Sequence, residues 1–377
     1  MSFGIYIHIP FCRSRCNYCH FLTMADREEM MERYAGAVIR EIKAFPGAIP
    51  SDEVDSIYFG GGTPSLMPPE YVEAIIIACR ELFSVSETAE ISLEANPGTV
   101  LPGKAAIYRR AGVNRISLGA QSFNDGELAS IGRGHDAAMI FESLARLSEA
   151  GISQINMDLM LGLPMQTAGS WRNNLERVKR ARVAHVSVYM LDLDEQCALG
   201  EAVLRGSARL PDEELVADLY EETVEFMASC GYRQYEISNF ARDGHICRHN
   251  MKYWKREKTQ GFGLGSHSFD LCSRSANCDD MDDYLRLVEQ GISPVKWRET
   301  VAPRQALQEK LFLGLRLTEG VDWSRLRSDD KSGFLDGCEH KLKELSLRGL
   351  VEWNNDTVRL TVHGMLLSNE ILQMFVE

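Results

Sequence analysis

The sequence has no uninterrupted apolar run of about 18 residues, so it offers no helix able to span a bilayer. It also has no basic N-terminal segment leading into an apolar stretch and a cleavage site. Met1-Ser2-Phe3-Gly4-Ile5-Tyr6 therefore reads as a first strand, not a signal peptide. A basic excess is missing too: 41 Lys and Arg stand against 54 Asp and Glu, a net charge of −13. Phosphate binding needs a basic face, so a nucleic-acid partner is not expected. There is no low-complexity stretch, and no repeat beyond an alternation of strand-like and helix-like segments. What remains is the composition of a globular protein, with 45% hydrophobic and 25% charged residues over 377 positions. That length suits one large α/β domain plus a smaller one. Ten cysteines without a secretory signal imply reduced thiols and cytoplasmic residence. Cys79, Cys197, Cys230, Cys272, Cys278 and Cys338 are scattered and read as inert small residues.

Three other cysteines are not scattered. Cys12, Cys16 and Cys19 lie in Pro10-Phe11-Cys12-Arg13-Ser14-Arg15-Cys16-Asn17-Tyr18-Cys19. Three close thiolates can hold three irons of a [4Fe–4S] cluster and leave the fourth open to an exchangeable ligand, whereas an electron-carrying cluster takes four cysteines. The alternative is a zinc site completed by His8 or His20, but no distant second cysteine pair follows to favour it. The spacing resembles the signature of the radical S-adenosylmethionine (SAM) superfamily, in which the amino and carboxylate groups of SAM chelate the open iron.

From residue 3 to about 193, short β-branched segments alternate with amphipathic ones. Strands are predicted at Phe3–Ile9, Val54–Phe59, Glu90–Glu94, Asn114–Gly119, Gln154–Leu161 and His185–Leu193. The clearest helix is Asp26–Phe45, where Met30, Tyr34, Val38, Ile42 and Phe45 recur at helical steps and Asp26 with Glu29 suggests a capping box. Pro68-Pro69-Glu70 opens the next helix. Six such units argue for parallel strands, either curled into a partial barrel or open as a doubly wound sheet. In both, ligands collect at the carboxyl ends of the strands. Residues 194–300 are less regular, with a helix at Asp212–Gly231, a strand at Tyr232–Phe240 and a glycine-rich stretch at Gly261–Phe269. From Pro303 the order is helix (Pro303–Leu317), helix (Ser332–Arg348), strands around Val351 and Val358–Leu360, then helix (His363–Met374), which suggests a winged-helix module. Residues 303–377 carry 10 Lys and Arg against 12 Asp and Glu, so a structural or protein-contact role suits this module better than DNA binding.

Polar residues gather at the predicted strand ends. Gly60-Gly61-Gly62-Thr63-Pro64 follows the second strand; it lacks the lysine of a phosphate loop and the later glycines of a dinucleotide fold. Glu94, Gln121, Arg133 and Asp158 occupy comparable places. Together they supply what a zwitterionic adenosyl ligand needs: carboxylates for an ammonium and ribose hydroxyls, and a guanidinium for a carboxylate.

Tyr6-Ile7-His8-Ile9-Pro10-Phe11-Cys12, the cysteine triplet, the Gly-Gly-Gly-Thr-Pro turn and Asp158-Leu159-Met160-Leu161-Gly162-Leu163-Pro164 resemble one family. It contains oxygen-independent coproporphyrinogen III dehydrogenase and the HemW-type haem chaperones. The resemblance covers nearly the whole chain and implies an α/β fold: a partial (β/α)6 radical SAM barrel with a smaller C-terminal winged-helix-like module. The implied divisions are 1–193 for the core, 194–300 for an extension and 301–377 for the module. It implies cluster ligation by Cys12, Cys16 and Cys19 and SAM contacts at Tyr6, Gly61, Gly62, Thr63, Glu94, Arg133 and Asp158. Tyr18 and Gln121 match positions that touch a second SAM in the dehydrogenase. Two features separate the relatives. The dehydrogenase has a further cysteine two residues past the triplet, where this chain has Phe21, and a longer segment before it. Conversely, His249-Asn250-Met251-Lys252-Tyr253-Trp254 matches the His-Asn-x-x-Tyr-Trp motif of the haem chaperones. His249 is thereby the implied haem ligand, with Tyr253 and Trp254 offering π-rich surface to a porphyrin. His267 and Cys247 are lesser candidates. His20 stands where those chaperones usually have Asp.

The function this implies is haem binding and delivery to a client protein, with SAM on the cluster. If SAM is cleaved, an electron donor is a further partner, and the chemistry is one-electron reduction of the sulfonium to methionine and a 5′-deoxyadenosyl radical. The rival is the dehydrogenase itself, which decarboxylates propionate side chains.

Overall fold

The computed structural model describes residues 2–46, 52–194, 197–354 and 356–376. Six strands form its centre: β1 (Ser2–Ile9), β2 (Glu53–Gly61), β3 (Ser84–Ala95), β4 (Arg115–Gln121), β5 (Gln154–Leu161) and β6 (His185–Met190). Each pairs in parallel with the next, in the order of the chain. This sequential order settles what pattern alone left open. A doubly wound sheet reverses direction at a switch point, whereas uniform right-handed crossovers put every helix on one face and curl the sheet into a barrel. Helices α1 (Met31–Ala44), α2 (Pro69–Leu82), α3 (Lys104–Ala111), α4 (Ala137–Glu149), α5 (Ala168–Ala181) and α6 (Glu213–Ser229) supply those crossovers and the outer layer.

The pleat assigns the two faces. Ile5, Ile7, Ile57, Phe59, Leu93, Ile116, Leu118, Met157, Leu159 and Val186 are fully buried against the helices. On α1, Tyr34, Val38 and Ile42 pack back against them with no exposed surface. Each such side chain contributes about 1.5–3 kcal/mol. The alternate positions point inward and are mostly polar: Tyr6 lies opposite Tyr58, Glu94 opposite Ser117, Gly119 opposite Asp158 and Asp158 opposite Ser187. One row of each strand thus makes the core and the other lines the barrel.

Further strands widen the sheet at both edges. A hairpin of β7 (Arg233–Glu236) and β8 (Asn239–Ala241) joins antiparallel to β6. Beside β1 lie β9 (Thr259–Phe262, parallel), β10 (His267–Phe269), β11 (Ser273–Asn277) and β12 (Val295–Thr300). The linear order of the described strands leaves the barrel partial. The seven-residue helix α7 (Arg248–Trp254) lies between the two extensions in sequence. The C-terminal module runs helix Pro303–Leu315, β13 (Val321–Asp322), helices Trp323–Asp329 and Phe334–Leu347, then β14 (Val351–Asn354) and β15 (Thr357–Leu360). Its sheet order β13-β15-β14 is that of a winged helix.

Several expected boundaries differ. The capping box at Asp26 is absent: Asp26 is left-handed (φ 54°), and a 3-10 turn at Glu28–Met30 leads into α1 instead. Strand β3 begins six residues early, because its polar Ser84–Glu87 segment pairs with the start of β2 without apolar alternation to betray it. Strand β6 stops at Met190, where the chain leaves the sheet and Leu191 and Asp192 turn across the mouth of a cavity. The segment 232–240 is a hairpin, since Glu236 accepts from Ser238 N and Asn239 Nδ2 and folds the chain back. Gly261–Phe269 holds parts of two strands, and the last helix is broken at Leu367.

Candidate cofactor-binding site

The cysteine loop leaves β1 at Pro10 and returns as Met24–Ala25, which pairs in parallel with Phe11–Cys12. Backbone bonds hold it against the barrel rim: Cys19 N to Cys16 O, Asn17 N to Ile131 O and Leu199 N to Asn17 O, at 2.8–3.1 Å. A cavity of about 340 Å³ opens beneath it. Its walls carry Cys12, Cys16, Cys19, Tyr18, Gly61, Gly62, Thr63, Glu94, Gln121, Arg133 and Asp158. Among the described residues no three His, Cys, Asp or Glu side chains converge as a single metal ion requires. The three thiols instead surround shared space, an arrangement that suits a cluster better than the zinc alternative.

The strand ends account for this convergence. Gly61 (φ 113°) turns its N–H to Glu94 Oε2 at 3.1 Å, and a Cβ there would strike the His8 ring at 2.6 Å. A Cβ on Gly62 would meet Phe11 O at 2.7 Å and Cys12 Sγ at 3.0 Å, so the glycine turn and the cysteine loop fit only without a side chain. Gln121 sits at φ 63° beside an irregularity in the β4–β5 ladder. Such a conformation costs about 1–3 kcal/mol, and here it turns a polar side chain to the cavity wall. Its Oε1 is buried without a partner, as is Arg133 Nε. Two unpaired polar atoms at one wall are what a polar ligand would satisfy.

Charge is concentrated in the same space. Glu94 accepts from Tyr58 Oη at 2.8 Å, and burial, reinforced by Asp158, raises its carboxyl to about 7 despite that bond. Burial likewise raises Asp158, against bonds from Ser117 and Asn156 at 2.9 and 2.7 Å. An ammonium or hydroxyl ligand between these groups would favour their ionised forms. Opposite them, Arg133 donates to Cys16 Sγ at 3.5 Å, Asn96 Oδ1 at 2.7 Å and Gly119 O at 2.5 Å. Asn96, Tyr58, Ser117 and Tyr189 also line the cavity and were not singled out from the sequence. Asn96 lies in Glu94-Ala95-Asn96-Pro97-Gly98, two residues past Glu94, and that closeness was the available signal.

Two expected site residues do not line this cavity themselves, and Tyr6 stands directly behind Tyr58 and Glu94 of its wall. Tyr6 is not part of this cavity wall. It points into the barrel, donating to or accepting from His8 Nδ1 at 3.1 Å and stacking on Tyr58 and His249 at 6.3 and 6.4 Å. His249 lies on α7 near the opposite, N-terminal ends of the strands, only 1% exposed and stacked on Tyr58 at 5.1 Å. Gly4 leaves room for it, since a Cβ there would meet His249 Nδ1 at 3.0 Å and the Lys252 side chain at 2.9 Å. The buried Glu90 carboxylate accepts from Arg248 N and His249 N and holds the first turn of α7. Ring atom Nδ1 shares a hydrogen bond with Ser56 Oγ at 3.0 Å, and Nε2 shares one with Tyr253 Oη at 3.1 Å. Burial, then nearby Lys252, lowers the imidazole to about 3, so it is neutral in ordinary buffers.

The lesser haem-ligand candidates are poorly placed. Cys247 is buried beside Glu90 with its thiol pushed up to about 12, and His267 is exposed on β10 against Trp297, away from His249. Trp254 faces the C-terminal module, under the Arg316 guanidinium at 4.5 Å.

The Radical SAM superfamily profile matches residues 6–185, and the HemN C-terminal domain profile matches residues 301–367. The heme chaperone HemW of Bacillus subtilis is 34% identical over 374 residues, 98% of each chain. That of Synechocystis is 37% identical over 340 residues, covering 87% of this chain and 81% of its own. The mitochondrial radical S-adenosyl methionine domain-containing protein 1 of Bos taurus is 32% identical, over 98% of this chain and 86% of its own. Among solved structures, coproporphyrinogen III oxidase (HemN) from Escherichia coli, a radical SAM enzyme, superposes with a TM-score of 0.85 at 24% identity, covering 99% and 90% of the two chains. That likeness concerns the fold, a partial (β/α)6 barrel with a winged-helix-like module. Relatives of one name match 98% and 87% of this chain at 34% and 37% identity, and it belongs to the HemW family of radical SAM proteins.

Proposed function

We propose that this protein is a haem chaperone: it carries a [4Fe–4S] cluster on Cys12, Cys16 and Cys19, binds SAM at the open iron, takes up haem and passes it to a client protein. The observation that carries the cofactor part is the single cavity in which three thiols meet Glu94, Arg133 and Asp158. Glu94 and Asp158 would hold the SAM ammonium and ribose, Arg133 its carboxylate, and Gly61, Gly62 and Thr63 would border the site, which Gln121 and Tyr18 also line. Bound together, cluster and SAM supply one-electron cleavage of a sulfonium. Within the chain, Arg133 donates to Cys16 Sγ at 3.5 Å and Thr63 Oγ1 shares a hydrogen bond with Cys12 Sγ at 3.6 Å, so both side chains orient thiols of the loop.

Support for the haem part comes from the HemW relatives and from the α7 helix, where His249 stacks on Tyr6 and Tyr58 and shares a hydrogen bond with Tyr253. Phe21 stands where the dehydrogenase carries a further cysteine, and its ring is 57% exposed at the cavity wall. That counts against porphyrinogen decarboxylation. Ten thiols that must stay reduced favour the cytoplasm, and among the described residues no helix is long and apolar enough to cross a membrane. The test is anaerobic reconstitution followed by haem titration and transfer to an apo-globin acceptor. Near-stoichiometric haem binding with transfer is expected. Turnover of coproporphyrinogen without haem binding would instead establish the dehydrogenase.

A further inference from the structure

The turns that leave the carboxyl ends of β4 and β5 both carry backbone strain. Gln121 ends β4 at φ 63°, and the turn after β5 passes through Gly162 at 89° and Met165 at 64°. A left-handed glutamine or methionine persists only where its surroundings fix it. Gly162-Leu163-Pro164-Met165-Gln166 supplies one anchor. The Gln166 side chain folds back over its own turn, where Oε1 accepts from Gly162 N at 2.7 Å and Nε2 donates to Met160 O at 3.1 Å. The same Nε2 reaches across to the β4 turn and donates to Glu127 Oε2 at 3.2 Å. Glu127 belongs to the short helix Asp125–Ser130, and its Oε2 also accepts from Ser122 Oγ at 2.6 Å. Asn174 of α5 completes this clamp by accepting from Phe123 N at 2.8 Å. Ser122, Glu127, Gln166 and Asn174 are all buried, and none of them lines the cofactor cavity. What they hold does line it: Gln121 on one side and Met160 on the other.

We propose that Glu127 and Gln166 are positioning residues for the SAM site: their clamp holds Gln121 in its left-handed conformation and thereby sets the cavity wall that faces the ligand. This rests on the SAM-binding reading above. The ladder gives the reason. Gly119 lies opposite Asp158, and Gln121 lies opposite Leu159, so β4 carries one residue more than β5 at this point. Such a bulge re-aims a side chain. The two residues after Gln121 are both pinned, Ser122 by its side chain and Phe123 by its backbone N–H. With Ser122 released, the bulge could relax into regular pairing, and a slip of one residue turns a side chain to the other face of the sheet. Gln121 would then leave the wall. Buried bonds suit this role, since a group that loses its partner there has no water to replace it.

The test measures SAM affinity by equilibrium dialysis, and iron content, on the full-length, cluster-loaded protein. Glu127→Ala and Gln166→Met should each weaken SAM binding about tenfold with iron content unchanged. Glu127→Gln, whose amide oxygen can accept both bonds, should recover most of what Glu127→Ala loses. Ser122→Ala removes a single bond at the far end of the clamp; it should act in the same direction and serves if the other two fold poorly. The last arm is a double-mutant cycle with Gln121→Gly, because glycine adopts φ 63° without strain and carries no side chain. Gln166→Met or Ser122→Ala should cost SAM affinity in wild type and nothing further in the Gln121→Gly background. Losses that multiply in the double variants would overturn the proposal. So would wild-type SAM affinity in every clamp variant, or an iron content that falls in step with SAM affinity. The SAM reading survives each of these results, whereas a wild-type protein that binds no SAM would remove both.

Discussion

Asn96 ties Thr63 to Arg133: its Nδ2 donates to Thr63 Oγ1 at 2.9 Å, and its Oδ1 accepts from Arg133 Nη2 at 2.7 Å. Thr63 and Arg133 are the side chains hydrogen-bonded to Cys12 Sγ and Cys16 Sγ. One amide therefore spans the two cluster thiols through their neighbours and holds the guanidinium proposed for the SAM carboxylate.

Asn96→Ala should leave iron content unchanged while SAM affinity, measured by equilibrium dialysis, falls about tenfold. That corresponds to the roughly 1.5 kcal/mol of one hydrogen bond to a charged group. An iron content as low as that of a cysteine variant would mean Asn96 builds the cluster site itself.

Cys16→Ala should abolish the cluster, removing the brown colour and acid-labile sulfide. Cys338→Ala, in a buried position of the C-terminal module, should keep full iron content at a stability cost of about 1 kcal/mol. Equal loss in both would show that the cluster is held elsewhere.

Gly62→Ala pushes a methyl group against Phe11 O and Cys12 Sγ. The cysteine loop must shift, and we expect impaired cluster loading and about 1–3 kcal/mol of lost stability by denaturant titration. Gly337→Ala, in a helix where nothing lies within 4 Å of the added carbon, should stabilise by about 0.5–1 kcal/mol. Normal cluster loading in Gly62→Ala would disprove the close fit between the two segments.

Glu41 is half-buried, with its carboxylate enclosed beneath β9 and β11 and accepting from Gly263 N, Asn277 Nδ2 and Tyr284 Oη. Burial raises its carboxyl from 4.5 to about 7. Between those values the folded protein holds a proton that the unfolded chain releases, so stability falls as pH rises and the decline is complete above about 7. The size is on the order of 3 kcal/mol. Denaturation midpoints should be lower at pH 8 than at pH 5, and Glu41→Gln should flatten that difference. An unchanged slope in the variant would assign the effect to other groups, of which Glu94 is the first to test.

Local chemistry was legible in the sequence. The spacing of Cys12, Cys16 and Cys19, the glycine turn and the ends of the six strands all concern residues close together in the chain, and family resemblance reads such motifs directly. The strand–helix alternation was legible for the same reason, because burial of one face imposes a period. Ends set by polar pairing were not: the Ser84–Glu87 start of β3, the hairpin folded by Glu236, the turn of Leu191 across the cavity mouth. These depend on neighbours far along the chain.

By itself, then, the sequence determined the family, the cofactor chemistry it points to and the residues that approach the cavity. The family resemblance implied a partial barrel, but only the tertiary structure showed that the strands follow one another in order, because strand pairing is a long-range choice. It also decided the burial of the α7 side chains. His249 and Tyr253 share one helical face, but Ser56, some 190 residues earlier, takes the second nitrogen of His249, and Gly4 lets the ring pack inward. Packing from distant strands leaves the histidine enclosed and the tyrosine partly exposed, and no local pattern could have distinguished them.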